Sequence, residues 1–163
     1  MTKNNLTVLL YHGVSNHSHN NIENFSGKHI AVRDFDKQIQ FLHKKCTILS
    51  MDDVVDIYKN GDAWPKNAVA VTFDDGFQNN YSQAAPILDE YNCPAIFYVC
   101  AGMVNTDLMF WVDEIEDCIN RTREARITLS LDESMNLPLN SDADKLYAIK
   151  IIKKYCKKSK KEE

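Results

Sequence analysis

The stretch AVAVTFDDG, residues 68 to 76, predicts a buried strand that ends in two adjacent carboxylates and a glycine. An uninterrupted run of apolar and β-branched residues of this length is typical of a parallel strand covered on both faces. Asp74 and Asp75 therefore stand where the carboxyl end of that strand is expected. Two carboxylates this close repel each other, so their placement calls for a functional reason.

Two further apolar runs of strand length flank this stretch, LTVLLY at residues 6–11 and PAIFYVC at 94–100. They are predicted to be interior parallel strands as well, and CTIL at 46–49 is a shorter candidate. Segments with helical spacing separate these runs. Strands that alternate with helices of this length indicate βαβ units, so the fold class is predicted to be α/β with a largely parallel sheet.

The predicted helices follow from apolar spacing and from capping residues. The first predicted helix has Phe35, Ile39 and Leu42 on one face, and the second begins after the N-cap candidate Ser50. Three more are predicted over 79–91, 111–123 and 142–156. After Cys100 the pattern changes, because 127–139 is an ambiguous mixture. No clear strand is predicted beyond that cysteine.

The composition excludes several classes of protein. With 163 residues, a net charge of −4 and 44% hydrophobic residues, the chain is expected to be a globular protein without affinity for nucleic acid. No run approaches the roughly 18–20 apolar residues of a membrane-spanning helix, and no signal peptide is evident, so a cytoplasmic location is expected. The five scattered cysteines are predicted to be reduced and mostly buried.

The residues after the predicted strands point to a shared cleft. In parallel α/β folds functional groups gather at the carboxyl ends of strands, and His12 follows LTVLLY as Asp74 follows AVAVTF. A plain Asp-Gly turn is the alternative, although the residues after Gly76 resemble a helix start rather than a second strand. An EF-hand loop fits poorly, because its alternating ligands are missing.

Several blocks in order resemble the polysaccharide deacetylases, the NodB-homology group of carbohydrate esterase family 4. The blocks are YHGV (11–14), FDKQIQFLHKK (35–45), ILSMDDVVDIY (48–58), TFDDG (72–76) and PILDEYNCPAIFYV (86–99). The resemblance spans about residues 6–117. It implies part of a (β/α) barrel of the NodB-homology type, with 1–117 as the N-terminal part of that domain and 118–163 as a helical insertion or a truncated continuation.

The resemblance also implies a chemistry and a set of roles. The family removes N-acetyl groups from amino-sugar glycans by metal-dependent hydrolysis. By motif position, Asp74 is the general base that takes a proton from water, and Asp75 is a ligand of a divalent metal ion, commonly zinc. His12 is expected to contact the substrate at the mouth of the cleft, or else to be a structural histidine.

The family completes its metal site with a histidine pair downstream of the aspartates, whereas all five histidines of this chain precede Asp74. Zinc is therefore expected to bind weakly or not at all, and His17 and His19 are poor substitutes in a polar loop. A complete (β/α) barrel needs about 250 residues, so the chain is interpreted as an N-terminal portion. Uncovered barrel edges then favour self-association.

Three functions remain open from the sequence. The first is a deacetylase-type hydrolase acting on a glycan. The second is a non-catalytic fragment or carbohydrate-interaction module that lacks the metal-binding histidines. The third is an acidic pocket like that of a response regulator, which would need a further aspartate and a late lysine at other strand ends, and this order of strands does not supply them convincingly.

Overall fold

The computed structural model describes residues 4–17, 19, 22–130 and 134–159. The chain divides into two compact units. The first consists of Met1–His17 and Ser26–Val104, and the second of Ser18–Phe25 and Asn105–Glu163. The predicted division at residue 117 stays a prediction.

The first unit is built on a parallel sheet around one central strand. The four strands of this sheet are β1 (Thr7–Tyr11), β4 (Thr47–Ile48), β5 (Ala68–Phe73) and β6 (Ala95–Phe97). All three partners pair with β5 in parallel. A second, two-stranded parallel sheet joins β2 (Gly13–Ser15) to β3 (His29–Ala31). The parallel arrangement predicted from the sequence is thus observed, and AVAVTF is its central strand.

Three helices pack around these strands. They are α1 (Val32–Lys45), α2 (Met51–Asn60) and α3 (Ala85–Glu90), the last preceded by a π-helical turn at Asn80–Ala84. The predicted N-cap Ser50 accepts a hydrogen bond from the backbone N–H of Asp53, whose carboxylate in turn accepts from the backbone of Ser50. This reciprocal capping box satisfies two donors that the helix itself leaves unpaired. Asn79, which precedes the π-helical turn, makes no such side-chain bond.

The core of the first unit lies between α1 and β5. The predicted apolar face of α1, formed by Phe35, Ile39 and Leu42, is the buried face of that helix. It belongs to one cluster with alternate residues of β5, including Val71 and Phe73. Burying side chains of this size contributes about 1.5–3 kcal/mol each, so this contact fixes the sheet against the helix.

Burial on both faces, predicted for all three long strands, is observed for β5 alone. Every residue of β5 is buried, whereas Val8 and Leu10 of β1 are 51% and 55% exposed. Phe97 of β6 is also exposed. The prediction was wrong for β1 and β6 because an apolar run cannot distinguish a covered strand from one whose outer face lacks a neighbouring layer. Self-association through these strands stays a prediction.

The second unit contains two helices and a hairpin. Helices α4 (Trp111–Arg121) and α5 (Asp142–Ser159) confirm the predicted positions, and β7 (Arg126–Ser130) pairs antiparallel with β8 (Ser134–Pro138). The expectation of no clear strand after Cys100 was therefore wrong. Alternating exposure along β7 shows a strand with one covered face. Arg126–Ser130 and Ser134–Pro138 each alternate polar and apolar residues, the pattern of a half-buried strand, so the hairpin does carry a local signal in the sequence.

The core of the second unit joins the hairpin to the helices. Its buried apolar residues are Ile22, Ile119, Leu137, Leu139, Ala148 and Ile149. An ion pair between Lys153 of α5 and Glu116 of α4 adds a polar contact between the two helices. The described part of the chain has no helix long and apolar enough to cross a membrane.

The cysteines are free but mostly not buried, contrary to prediction. Cys93 is the buried one of the five, while Cys100 and Cys118 are exposed. Burial raises the pKa of the Cys93 thiol from 9.0 to about 11. Desolvation disfavours the charged thiolate, so the folded protein holds this group neutral.

The free energy of unfolding is expected to fall as the pH rises from 9 to 11 because of Cys93. The thiol ionises at a higher pH in the folded protein than in the unfolded chain. Its contribution to stability is therefore complete below the unfolded pKa and is lost as the pH rises through the folded pKa. Urea unfolding of wild type and Cys93→Ala at several pH values measures the difference in slope. Cys100→Ala is the control, and equal slopes for wild type and Cys93→Ala would contradict this explanation.

Candidate functional site

The two predicted acidic residues lie at the end of the central strand, next to the end of β1. The parallel register pairs Tyr11 with Phe73, so His12 and Asp74 are the next residues of neighbouring strands. The backbone N–H of Asp74 donates to the carbonyl oxygen of Tyr11 over 2.9 Å. This bond extends the ladder past the strand ends and holds the segments that carry His12 and Asp74 side by side. Both side chains are partly exposed.

The backbone turns sharply at Asp75 and Gly76. Both residues have φ of +71°, in the left-handed region. Aspartate is one of the few residues with a side chain that adopts this conformation readily. At Gly76 a Cβ would lie 2.8 Å from Cγ1 of Val99 and 3.3 Å from its Cα. The turn therefore requires glycine at position 76 for two independent reasons, conformation and space.

Gly76→Ala is expected to lower the free energy of unfolding by about 1–3 kcal/mol, from backbone strain together with the collision with Val99. Urea denaturation followed by circular dichroism measures the change. Gly61→Ala is a matched control, because Gly61 has the same φ of +71° and nothing within 4 Å of its Cβ position. Equal effects of the two substitutions would show that the contact with Val99 has no role.

Asp75 forms an ion pair inside the first unit. Its Oδ2 lies 3.2 Å from Nζ of Lys28, and the two side chains are 28% and 18% exposed. The same ammonium lies 4.6 Å from the centre of the Phe77 ring. The ammonium group of Lys28 thus offsets the negative charge of Asp75, and the ring of Phe77 makes a cation–π contact with the same ammonium group.

A cavity opens beside the ends of β1 and β2. Its volume is about 520 Å³, and its lining includes Tyr11, His12, Lys28 and Gln38. The Tyr11 hydroxyl donates to Oε1 of Gln38 over 2.7 Å. Burial raises the pKa of Tyr11, so its hydroxyl stays a neutral donor. The cavity combines hydrogen-bonding groups with one cation, a lining that suits a polar ligand.

The residues of the predicted metal site do not form a complete set of ligands. No group of three His, Cys, Asp or Glu side chains able to hold a metal ion occurs in the described ranges. His17 and His19 are exposed. Asp75 makes its ion pair with Lys28 instead. The available ligands therefore do not fit a zinc site, which needs three or four protein ligands.

Two polar groups near the aspartates were missed in the sequence. Besides Lys28, His29 packs its ring 5.0 Å from that of Phe77 and places Nδ1 3.1 Å from Nδ2 of Asn79. A Cβ on Gly13 would lie 1.9 Å from the same ring nitrogen, so this close approach also requires glycine. No local pattern marks Lys28 or His29, because Lys28 reaches Asp75, and His29 reaches Phe77 and Asn79, only through the tertiary fold.

Comparison with known proteins identifies the segment that contains Asp74, Asp75 and Gly76, which together are called the acidic turn below. Residues 61–132 match the family model described as polysaccharide deacetylase. Over this segment the chain is similar to the polysaccharide deacetylases. The match includes β5, Asp74, Asp75 and Gly76, so the resemblance deduced from TFDDG is confirmed where the motif lies.

A curated relative agrees with this assignment. Poly-β-1,6-N-acetyl-D-glucosamine N-deacetylase of Escherichia coli K12 is 33% identical over 58 residues, which is 36% of this chain and 9% of that protein. The matched part thus spans a small fraction of this polysaccharide deacetylase relative.

Solved structures confirm the fold class. IcaB from Ammonifex degensii aligns with a TM-score of 0.55 and 27% identity, over 72% of this chain and 49% of its own. The Streptococcus pyogenes deacetylase PplD, in complex with acetate, aligns with a TM-score of 0.53 and 23% identity, over 69% and 50%. The chain therefore has part of the α/β fold of polysaccharide deacetylases and spans about half the length of these structures.

Proposed function

We propose that the protein is a hydrolase of the polysaccharide deacetylase type, which removes N-acetyl groups from an amino-sugar glycan. One observation carries the proposal. Asp74 and Asp75 lie together at the carboxyl end of the central parallel strand, within the segment that matches the family model. Functional groups of parallel α/β folds gather at this position.

In the proposed reaction Asp74 is the general base. Its side chain is partly exposed, so a water molecule and a substrate can reach it. The carboxylate takes a proton from water as the water oxygen attacks the acetyl carbonyl carbon. Asp74 then gives this proton to the sugar nitrogen, the C–N bond breaks, and acetate and the free amine leave. His12, which lines the adjacent cavity, is proposed to contact the sugar.

The family is generally metal-dependent, and Asp75 is the proposed protein ligand in this chain. Because the described residues lack a complete ligand set, the reaction above uses only Asp74 and water. The remaining ligands are proposed to come from residues other than those described. The chain's span of about half of the related structures is consistent with this division.

A second function is favoured by the same incomplete ligand set. A carbohydrate-interaction module would use the cavity lined by Tyr11, Lys28 and Gln38 to bind a glycan without cleaving it. Hydroxyl, amide and ammonium groups are the side chains expected to hydrogen-bond sugar hydroxyls. This alternative requires neither a base nor a metal ion.

Two measurements separate the functions. Acetate release from N-acetylglucosamine oligomers is followed for the protein in the form in which its cells make it, with added zinc. Calorimetry with the same oligomers is run on the same preparation. Release of acetate supports the hydrolase, whereas sugar binding without release, unchanged by a chelator, supports the interaction module.

A further inference from the structure

The ion pair between Lys28 and Asp75 places a protein cation where the proposed function needs a metal ion. The contact is 3.2 Å from Nζ to Oδ2, short enough for a charge-assisted hydrogen bond in addition to charge attraction. The lysine side chain is 18% exposed, so water screens the pair less than it screens a pair on the open surface.

Other contacts hold Lys28 at this position. Its carbonyl oxygen accepts a hydrogen bond from the backbone N–H of Gly13 over 3.3 Å, next to His12. Gly27, with φ of +69°, turns the chain immediately before it. The ring of Phe77 lies 4.6 Å below the ammonium group. The lysine is therefore fixed by its backbone on one side of the cavity and by an aromatic contact at its charged end.

A divalent ion and this ammonium group compete for the same carboxylate. Oδ2 of Asp75 already accepts from Lys28, so a metal ion would bind Oδ1 or the second lone pair of Oδ2, beside the ammonium group. A metal ion bound to Asp75 would also lie close to the lysine charge, and like charges at such distances repel. Binding of the ion is thus opposed by the charge of Lys28 for as long as the lysine stays beside Asp75.

We propose that Lys28 is a built-in counter-ion of Asp75, which takes the place of a divalent metal ion in this chain and lowers the affinity of the acidic turn for such an ion. The inference rests on the proposed function only in assigning Asp75 as a metal ligand. Lys28 is then a positioning residue, because its contact with Asp75 sets the affinity of that carboxylate for a metal ion.

Zinc titration of the whole 163-residue chain tests the proposal. After treatment with a chelator, zinc is titrated by calorimetry into wild type, Lys28→Met and Lys28→Arg. The dissociation constant is expected to fall roughly tenfold in Lys28→Met, the change that corresponds to about 1.4 kcal/mol. Lys28→Arg, which keeps the cation, is expected to bind zinc like wild type. Circular dichroism verifies the fold of each variant, and Lys28→Gln replaces Lys28→Met if the latter does not fold.

Two controls test whether the gain in zinc affinity comes from the pair of Lys28 and Asp75. Lys37→Met removes an equal charge from an exposed pair with Asp34, so it reports the effect of net charge alone. Asp75→Asn, combined with Lys28→Met, must abolish the gain, which separates Asp75 from cysteine and histidine sites elsewhere. Equal zinc affinity in wild type and Lys28→Met, or a gain that survives Asp75→Asn, overturns the inference.

The outcome is independent of the hydrolase test. If the protein releases acetate but Lys28→Met gains no zinc affinity, the counter-ion inference fails and the proposed function stands. If Lys28→Met gains affinity through Asp75 while no form of the protein releases acetate, the inference stands and the proposed function fails.

Discussion

Phe73→Ala is expected to lower the free energy of unfolding by about 3–5 kcal/mol, the loss typical of removing a buried aromatic ring. Phe73 is fully buried at the end of β5, and its ring lies 4.8 Å from that of Phe97 and 5.4 Å from that of Tyr11. A third contact, at 5.8 Å, joins it to Phe35 of α1. The residue thus connects three parallel strands and one helix directly beneath the acidic turn.

Urea unfolding followed by tryptophan fluorescence and circular dichroism measures this loss. Phe41→Ala is the matched control, because Phe41 lies on the same helix as Phe35 but is 59% exposed. A surface substitution of this kind is expected to change the free energy by about 0.5 kcal/mol or less. If both variants lose the same free energy, Phe73 is not the packing centre described above.

Asp74→Asn is expected to reduce acetate release by about 10²–10⁴-fold, the usual contribution of a general base. Asparagine has nearly the same shape but cannot take a proton from water. The fold is expected to persist, since Asp74 is partly exposed and its hydrogen bond to Tyr11 uses the backbone N–H. Steady-state rates at saturating oligomer, with the protein in the form its cells make, measure the effect.

Asp62→Asn is the control for this rate, because Asp62 is an exposed carboxylate after α2. It is expected to leave the rate within a factor of two or so of wild type, as surface substitutions usually do. A rate for Asp74→Asn equal to that of Asp62→Asn would remove Asp74 from the reaction.

The central strand and its helices were predictable from the sequence because each carries a local signal. Every residue of AVAVTF is apolar or β-branched, and the observed strand has the same bounds, Ala68–Phe73. The face of α1 repeats at helical spacing, and Ser50 caps α2 with Asp53 three residues later. Apolar spacing and capping residues involve only positions close together in the chain, so they can be identified from one sequence.

The remaining features depend on tertiary contacts, which the sequence does not display. Exposure of Val8 and Leu10 follows from the layers present beside β1, whereas the apolar run alone suggests a covered strand. The pair between Lys28 and Asp75 joins distant parts of the chain, and it changes the interpretation of Asp75 from an open metal ligand to a carboxylate with a cation already beside it.

The most direct test of the account is the source of oxygen in the released acetate. The protein, in the form its cells make, is incubated with N-acetylglucosamine oligomers in ¹⁸O-labelled water, and the acetate is analysed by mass spectrometry. Attack of water activated by Asp74 predicts acetate that carries an ¹⁸O atom, with little product from Asp74→Asn. Absence of acetate from the wild-type protein, or acetate without the label, would contradict the account.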